Sequence, residues 1–167
     1  MNTNDYSQWF RGSTPYISAH RGKTFVVFLG GDALAHTNVT NIVHDLALLH
    51  VLGVQLVLVH GGRPQLDEAL PESKIHNHRR ITEPHDMPKV TGVYGLLRSQ
   101  IEGLFSTGLP NTPLHNVDIS VVSGNFVTAK PLGVLDGIDH LLTGQLRSLG
   151  GPRIANLLSA HNLVLQS

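Results

Sequence analysis

The chain has 167 residues, of which 41% are hydrophobic, and its twelve basic residues balance twelve acidic ones. That length supports one domain with a sizeable core, and a neutral chain offers no field to hold nucleic acid or an anionic membrane. It has no cysteine, which excludes a disulfide, a zinc–thiolate site and a thiol nucleophile.

The N-terminus, MNTNDYSQWFRG, has no apolar stretch of the secretory-signal kind. Tyr6, Trp9, Phe10, Tyr16 and Ile17 recur at spacings of three and four, which predicts an amphipathic helix over 5–18, interrupted near Gly12 to Pro15. Two readings of this segment stay open: a helix packed on its own domain, or an arm anchored on a neighbour by its aromatic residues. Charged residues make up only 14% of the chain, which fits a surface partly covered by other subunits. Thr24 to Leu29 (TFVVFL) is β-branched, aromatic and continuous, and predicts a strand buried on both faces. Gly30-Gly31 follows it. Val39, Ile42, Val43, Leu46 and Leu49 predict a helix from about 39 to 52, capped by Thr37 or Asn38 and closed by Gly53. Val54 to Val59 (VQLVLV) is a second buried strand, so the unit is a parallel βαβ crossover.

Pro64 stands where a further helix begins, with Gln65 to Leu70 inside it. The segment 71–88, rich in Pro, His and charge, reads as loop. A helix over 89–106 is limited at its start by Pro84 and Pro88. Val117 to Val122 predicts a strand. Phe126 to Leu135 and Leu141 to Leu146 predict a hairpin, Pro152 to Ala160 a short helix, and Leu163 to Leu165 a last strand. The apolar runs are far too short to span a bilayer, so a cytoplasmic protein is the expectation. The order is that of an α/β fold. The final strand leaves the sheet with an expected unpaired edge at the end of the chain, as a fragment of a larger domain would.

Gly30-Gly31 and Gly61-Gly62 stand at the C-terminal ends of neighbouring strands, where ligands bind in open α/β sheets. Glycine admits close approach of backbone N–H groups to an anion, and a following helix start adds partial positive charge. The alternative is two tight turns that need positive φ. Arg63, Arg79 and Arg80, with Thr82, suit a carboxylate or phosphate, while a solvated surface pair is the commoner explanation for the adjacent Arg79-Arg80. Neither a G-x-G-x-x-G nor a Walker A motif is present. Ser123-Gly124-Asn125 lacks the surroundings of a G-x-S-x-G nucleophile elbow. His76, His78 and His85 share one loop, but no helical ligand spacing accompanies them, so no metal site is expected.

PYISAHRGKTFVVFLGGDAL, NIVHDLALLHVLGVQLVLVHGGRPQLDEAL, RRIT and VVSGNFVTAKPLGV resemble the amino-acid kinase domain of bacterial N-acetylglutamate synthases, from about Tyr6 to Leu165. The resemblance implies a three-layer α/β/α sandwich around a mainly parallel sheet, of the amino-acid kinase or carbamate kinase-like fold, with only its first lobe present. It divides the chain into an N-terminal arm, 1–20, and the lobe, 21–167. It implies acetyl transfer from acetyl-CoA to L-glutamate, the first step of arginine biosynthesis, performed by a separate module. This segment then serves regulation and assembly as a homo-oligomer and binds no cofactor itself, with L-arginine as effector of the whole protein. By the same resemblance Gly30, Gly31, Gly61, Gly62, Arg63 and Arg80 are ligand-binding, and Trp9, Phe10 and Tyr16 anchor the arm. Phe28 stands where the family's kinases carry a lysine. Phosphoryl transfer depends on charge at that point, so no kinase activity is expected. A kinase and a free-standing ligand-binding module are the alternative readings.

Overall fold

Aliphatic runs put three strands side by side in the computed structural model, which describes residues 3–106 and 117–167. These are β1 (Thr24–Leu29), β2 (Gln55–His60) and β10 (Leu163–Gln166), and β5 (Val121–Ser123) completes a four-stranded sheet in the order β1-β2-β10-β5. Every pairing in this sheet is parallel, with Val26 opposite Val57 and Val164 opposite Val57 on the other side. Parallel strands need crossovers. Here α3 (Val39–Val51) links β1 to β2, and α6 (Gly151–Ser159) precedes β10.

Helices cover both faces. On one, Val43, Leu46 and Ala47 of α3 and Ile101 and Phe105 of α5 (Met87–Ser106) bury Leu56, Leu58, Leu163 and Leu165. On the other, Leu158 of α6 packs with Phe126 on Val57 and Val164. The result is the three-layer α/β/α arrangement that the resemblance implies. No helix among the described residues is long and apolar enough to cross a membrane.

Several elements differ from expectation. α1 runs unbroken from Thr3 to His20 through Gly12 and Pro15, where Ser13 and Thr14 donate their hydroxyls to the carbonyls of Trp9 and Phe10. The first two residues of the expected arm lie outside the described residues. β1 is not buried on both faces: it is a sheet edge, and Val26 and Phe28 are each 69% exposed. The last strand, by contrast, is not an edge. β10 is inserted between β2 and β5 and is buried over Leu163 to Leu165.

A short helix, α2 (Gly31–Ala35), begins within the first glycine pair, and α4 (Arg63–Ala69) follows the second. The expected loop 71–88 contains a small hairpin, β3 (Ile75–His76) with β4 (Arg79–Arg80), and a 3-10 turn at Pro84–Asp86. α5 begins at Met87 rather than Lys89, because Pro88 sits in the first turn, where its missing N–H breaks no helical bond. The strand expected over 117–122 is confined to Val121–Ser123. In the late hairpin β6 (Val127–Pro131) pairs with β9 (Gly144–Leu149), and β7 (Val134–Leu135) with β8 (Ile138–Asp139) forms a separate tip.

Candidate functional site

The C-terminal ends of β1 and β2 carry the two glycine pairs, as read from the sequence. None of the four glycines has positive φ; among the described glycines that conformation falls to Gly22, Gly53, Gly133 and Gly137. The tight-turn explanation therefore does not apply; what the glycines admit in this structure is close packing of protein against the turns. A β-carbon on Gly31 would stand 2.5 Å from Gln65 Oε1 and 2.6 Å from Pro64 Cδ. One on Gly62 would meet Leu97 Cδ1 at 2.7 Å, and one on Gly61 would meet Phe28 Cζ at 3.2 Å. The pairs let the two turns interlock. Gly61 N–H donates to the Leu29 carbonyl (2.8 Å) and Gln65 Nε2 to the Gly31 carbonyl (2.8 Å). Gly30 differs, since its β-carbon would meet only Phe28, at 3.9 Å. The Phe28 ring thus lies against both turns, an apolar surface at the mouth of the sheet edge.

His60, the last residue of β2, is buried beside this turn, with its ring 5.9 Å from that of Tyr94. Burial, helped by the Arg98 charge, holds the His60 imidazole below its ordinary pKa, against a carbonyl contact from Gly61. Burial likewise pushes the Tyr94 phenol up, against the Arg80 charge. At neutral pH both are uncharged. Ser123 donates to Glu102 Oε1 at 2.6 Å, so its hydroxyl is engaged by a carboxylate rather than poised as a nucleophile.

Beside these turns opens a cavity of about 390 Å³. α4 contributes Arg63, Leu66 and Asp67; the β3–β4 hairpin and the residues after it contribute Arg79, Arg80 and Thr82; α5 contributes Val90 and Tyr94; and Thr143 closes it from the late hairpin. Three arginines thus converge on one hollow, the chemistry of a carboxylate or phosphate site. Arg80 is fixed within it. Its Nη1 donates to the Leu70 carbonyl at 3.0 Å, its Nη2 pairs with Asp67 Oδ1, and its side chain is 13% exposed. Thr143 Oγ1 donates to the Arg80 carbonyl at 2.6 Å and accepts from Thr82 N–H at 3.1 Å. Arg63 is mostly exposed, with Nε 3.9 Å from Asp67 Oδ2.

The structure therefore brings Arg63 and Arg80 together in one cavity, and Gly30, Gly31, Gly61 and Gly62 at the adjoining turns. Trp9, Phe10 and Tyr16 lie elsewhere, along α1. Their exposures are 65%, 63% and 71%, and with Leu48, Leu52 and Val54 they line an apolar hollow of about 490 Å³. Asp67 and Thr143 escaped the sequence reading. Asp67 had a local signal, four residues after Arg63 on one helix; Thr143 had none, lying 63 residues from its partner Arg80.

A sequence profile of the amino acid kinase family matches residues 23–165. The amino-acid acetyltransferase of Proteus mirabilis is 49% identical over 160 residues, 93% of this chain and 36% of that protein. The chain thus spans about a third of the length of such curated relatives. Among solved structures, N-acetylglutamate synthase of Neisseria gonorrhoeae, complexed with coenzyme A and L-arginine, superposes with a TM-score of 0.84 at 31% identity. The match covers 94% of this chain and 38% of that one. The same protein complexed with coenzyme A and N-acetyl-glutamate gives a TM-score of 0.80.

Proposed function

The chain belongs to the amino acid kinase family, and from that premise we propose that it is the sensing and assembly part of an amino-acid acetyltransferase. The whole enzyme moves an acetyl group from acetyl-CoA to the α-amine of L-glutamate, with L-arginine as its effector. The observation that carries this reading is the 49% identity to an amino-acid acetyltransferase across 93% of the chain. We assign residues 1–20 to an oligomer arm and 21–167 to the ligand-binding lobe. In that lobe Arg63 and Arg80 line a pocket for a small carboxylic acid, which opens along α4 just after the second glycine turn. Phe28 supports the absence of phosphoryl transfer: an apolar ring covers the turns where a cation would have to stabilise a migrating phosphoryl group.

The test is an assay of acetyl-CoA-dependent acetylglutamate formation by the chain alone and joined to the C-terminal remainder of a curated relative. Activity only in the joined protein, altered by L-arginine, is the expected result. Acetylglutamate formation by the 167 residues alone would overturn the assignment. ATP-dependent phosphorylation of acetylglutamate would overturn it in favour of a kinase.

A further inference from the structure

Three arginines line the cavity beside α4, and Asp67 is the one acidic residue among those lining it. A guanidinium presents a planar fork that one carboxylate can fill. At Arg80 that fork is already taken. Asp67 Oδ1 accepts from Nη2, while the Leu70 carbonyl holds Nη1 at 3.0 Å, so the group is turned toward α4. The other oxygen of the same carboxylate reaches toward Arg63, at 3.9 Å. Asp67 thus lies between two of the three cations, in the position that a ligand carboxylate would take. Arg80 cannot swing away to find a second partner, being 13% exposed and with its backbone carbonyl held by Thr143.

We propose that Asp67 determines the specificity of this pocket: it supplies the Arg80 carboxylate from within and excludes carboxylate ligands that bring no positive charge of their own. The ligands excluded are N-acylated amino acids and simple dicarboxylates, which carry negative charge and no ammonium to set against Asp67. Such a ligand must both displace Asp67 and lie beside it, and like charges in a partly desolvated cavity repel. The inference rests on reading the cavity as a carboxylate pocket.

The test is calorimetric titration of the full chain with N-acetylglutamate and with succinate. Asp67→Asn keeps the shape and removes the charge. Asp67→Ser also removes the charge, with a smaller side chain, should the amide fail to fold. Either is expected to bind at least about tenfold more tightly than the unaltered chain, the scale of one charge-assisted hydrogen bond. Adding Arg80→Ala to Asp67→Asn is expected to cancel the gain. If Asp67 were only a structural tie between α4 and the hairpin, the variants would melt earlier and gain no affinity. Equal binding by folded variants and the unaltered chain would overturn the inference and leave the pocket reading standing. No binding by any folded variant would overturn both.

Discussion

Gly30 and Gly31 are adjacent and look alike in the sequence, yet their surroundings differ. A methyl group at Gly31 would collide with the rigid Pro64 ring at 2.6 Å and approach Arg63 N at 3.2 Å, whereas at Gly30 only Phe28 comes within 4 Å. Gly31→Ala is therefore expected to destabilise the fold by about 1–3 kcal/mol, the usual cost of overpacking, while Gly30→Ala stays within about 0.5 kcal/mol. Urea titration of both checks this; equal midpoints would refute the interlocking of the turns. The sequence marked these positions as special but not the reason. Gln65 lies 34 residues from its partner Gly31, and no local pattern reports such an approach. Arg80 was legible as a candidate because basic pairs suggest a ligand; the spacing of Asp67 marks it as a partner of Arg63, but its pairing with Arg80, 13 residues away, has to be found in space. The histidines give a prediction of their own. Burial is the largest cause holding His50 and His60 below the ordinary imidazole value. The unfolded chain then binds protons that the folded chain refuses. Stability is full above about pH 6.5 and falls as pH drops below it, by at most about 1.4 kcal/mol per pH unit for each histidine. His60→Leu is expected to flatten the profile of thermal midpoint between pH 6.5 and 5. An unchanged slope would mean that His60 takes up its proton as readily folded as unfolded.

At the scale of elements, β2 and β10 could be read from their apolar runs because both are flanked by strands and covered by helices. β1 has the same kind of run and a different fate. Val26 and Phe28 point to the same face as Val57 and Val59, but α6 packs over β2 and β10 and not over β1, so that face of the edge strand is exposed where the run suggests burial. The tip of the late hairpin was missed because two-residue strands carry too little periodicity to see. α6 was legible from its start at Pro152 and its apolar spacing, and the structure assigns it one task. Ile154, Leu157 and Leu158 pack, with Phe126, over Val57 and Val164. Leu158 is 5% exposed and central to this layer. Leu158→Ala is expected to cost about 2–5 kcal/mol, the sum of lost transfer energy and a cavity. The opposite layer, built from α3 and α5, is untouched by the change, so far-ultraviolet circular dichroism at low temperature should retain its shape while the urea midpoint falls. A cost below about 1 kcal/mol would show that the face beneath α6 collapses to fill the space.

For the molecule as a whole, the open question is what covers α1. The sequence leaves two readings, a helix folded on its own domain or an arm on a neighbour. Along α1 only Ser13 and Ile17 are half-buried among residues 11–20, and Trp9, Phe10 and Tyr16 keep about two-thirds of their surface exposed. Leu48 and Val51 of α3 add exposed apolar surface, at 45% and 43%. Aromatic residues presented together in this way are the usual anchors of subunit contacts. The core does not depend on them, since the cluster around Leu56, Leu58 and Leu165 contains none of the described side chains of α1. Removing the arm's aromatics should then separate assembly from folding. Burial of one such side chain stabilises by about 1.5–3 kcal/mol, so Trp9→Ala with Phe10→Ala is expected to weaken self-association by at least about tenfold. Sedimentation at matched concentrations should give smaller particles with an unchanged circular dichroism spectrum. If the thermal midpoint falls while particle size stays constant, α1 is a prop for its own domain, and the low charge content of the chain needs another explanation than a covered surface.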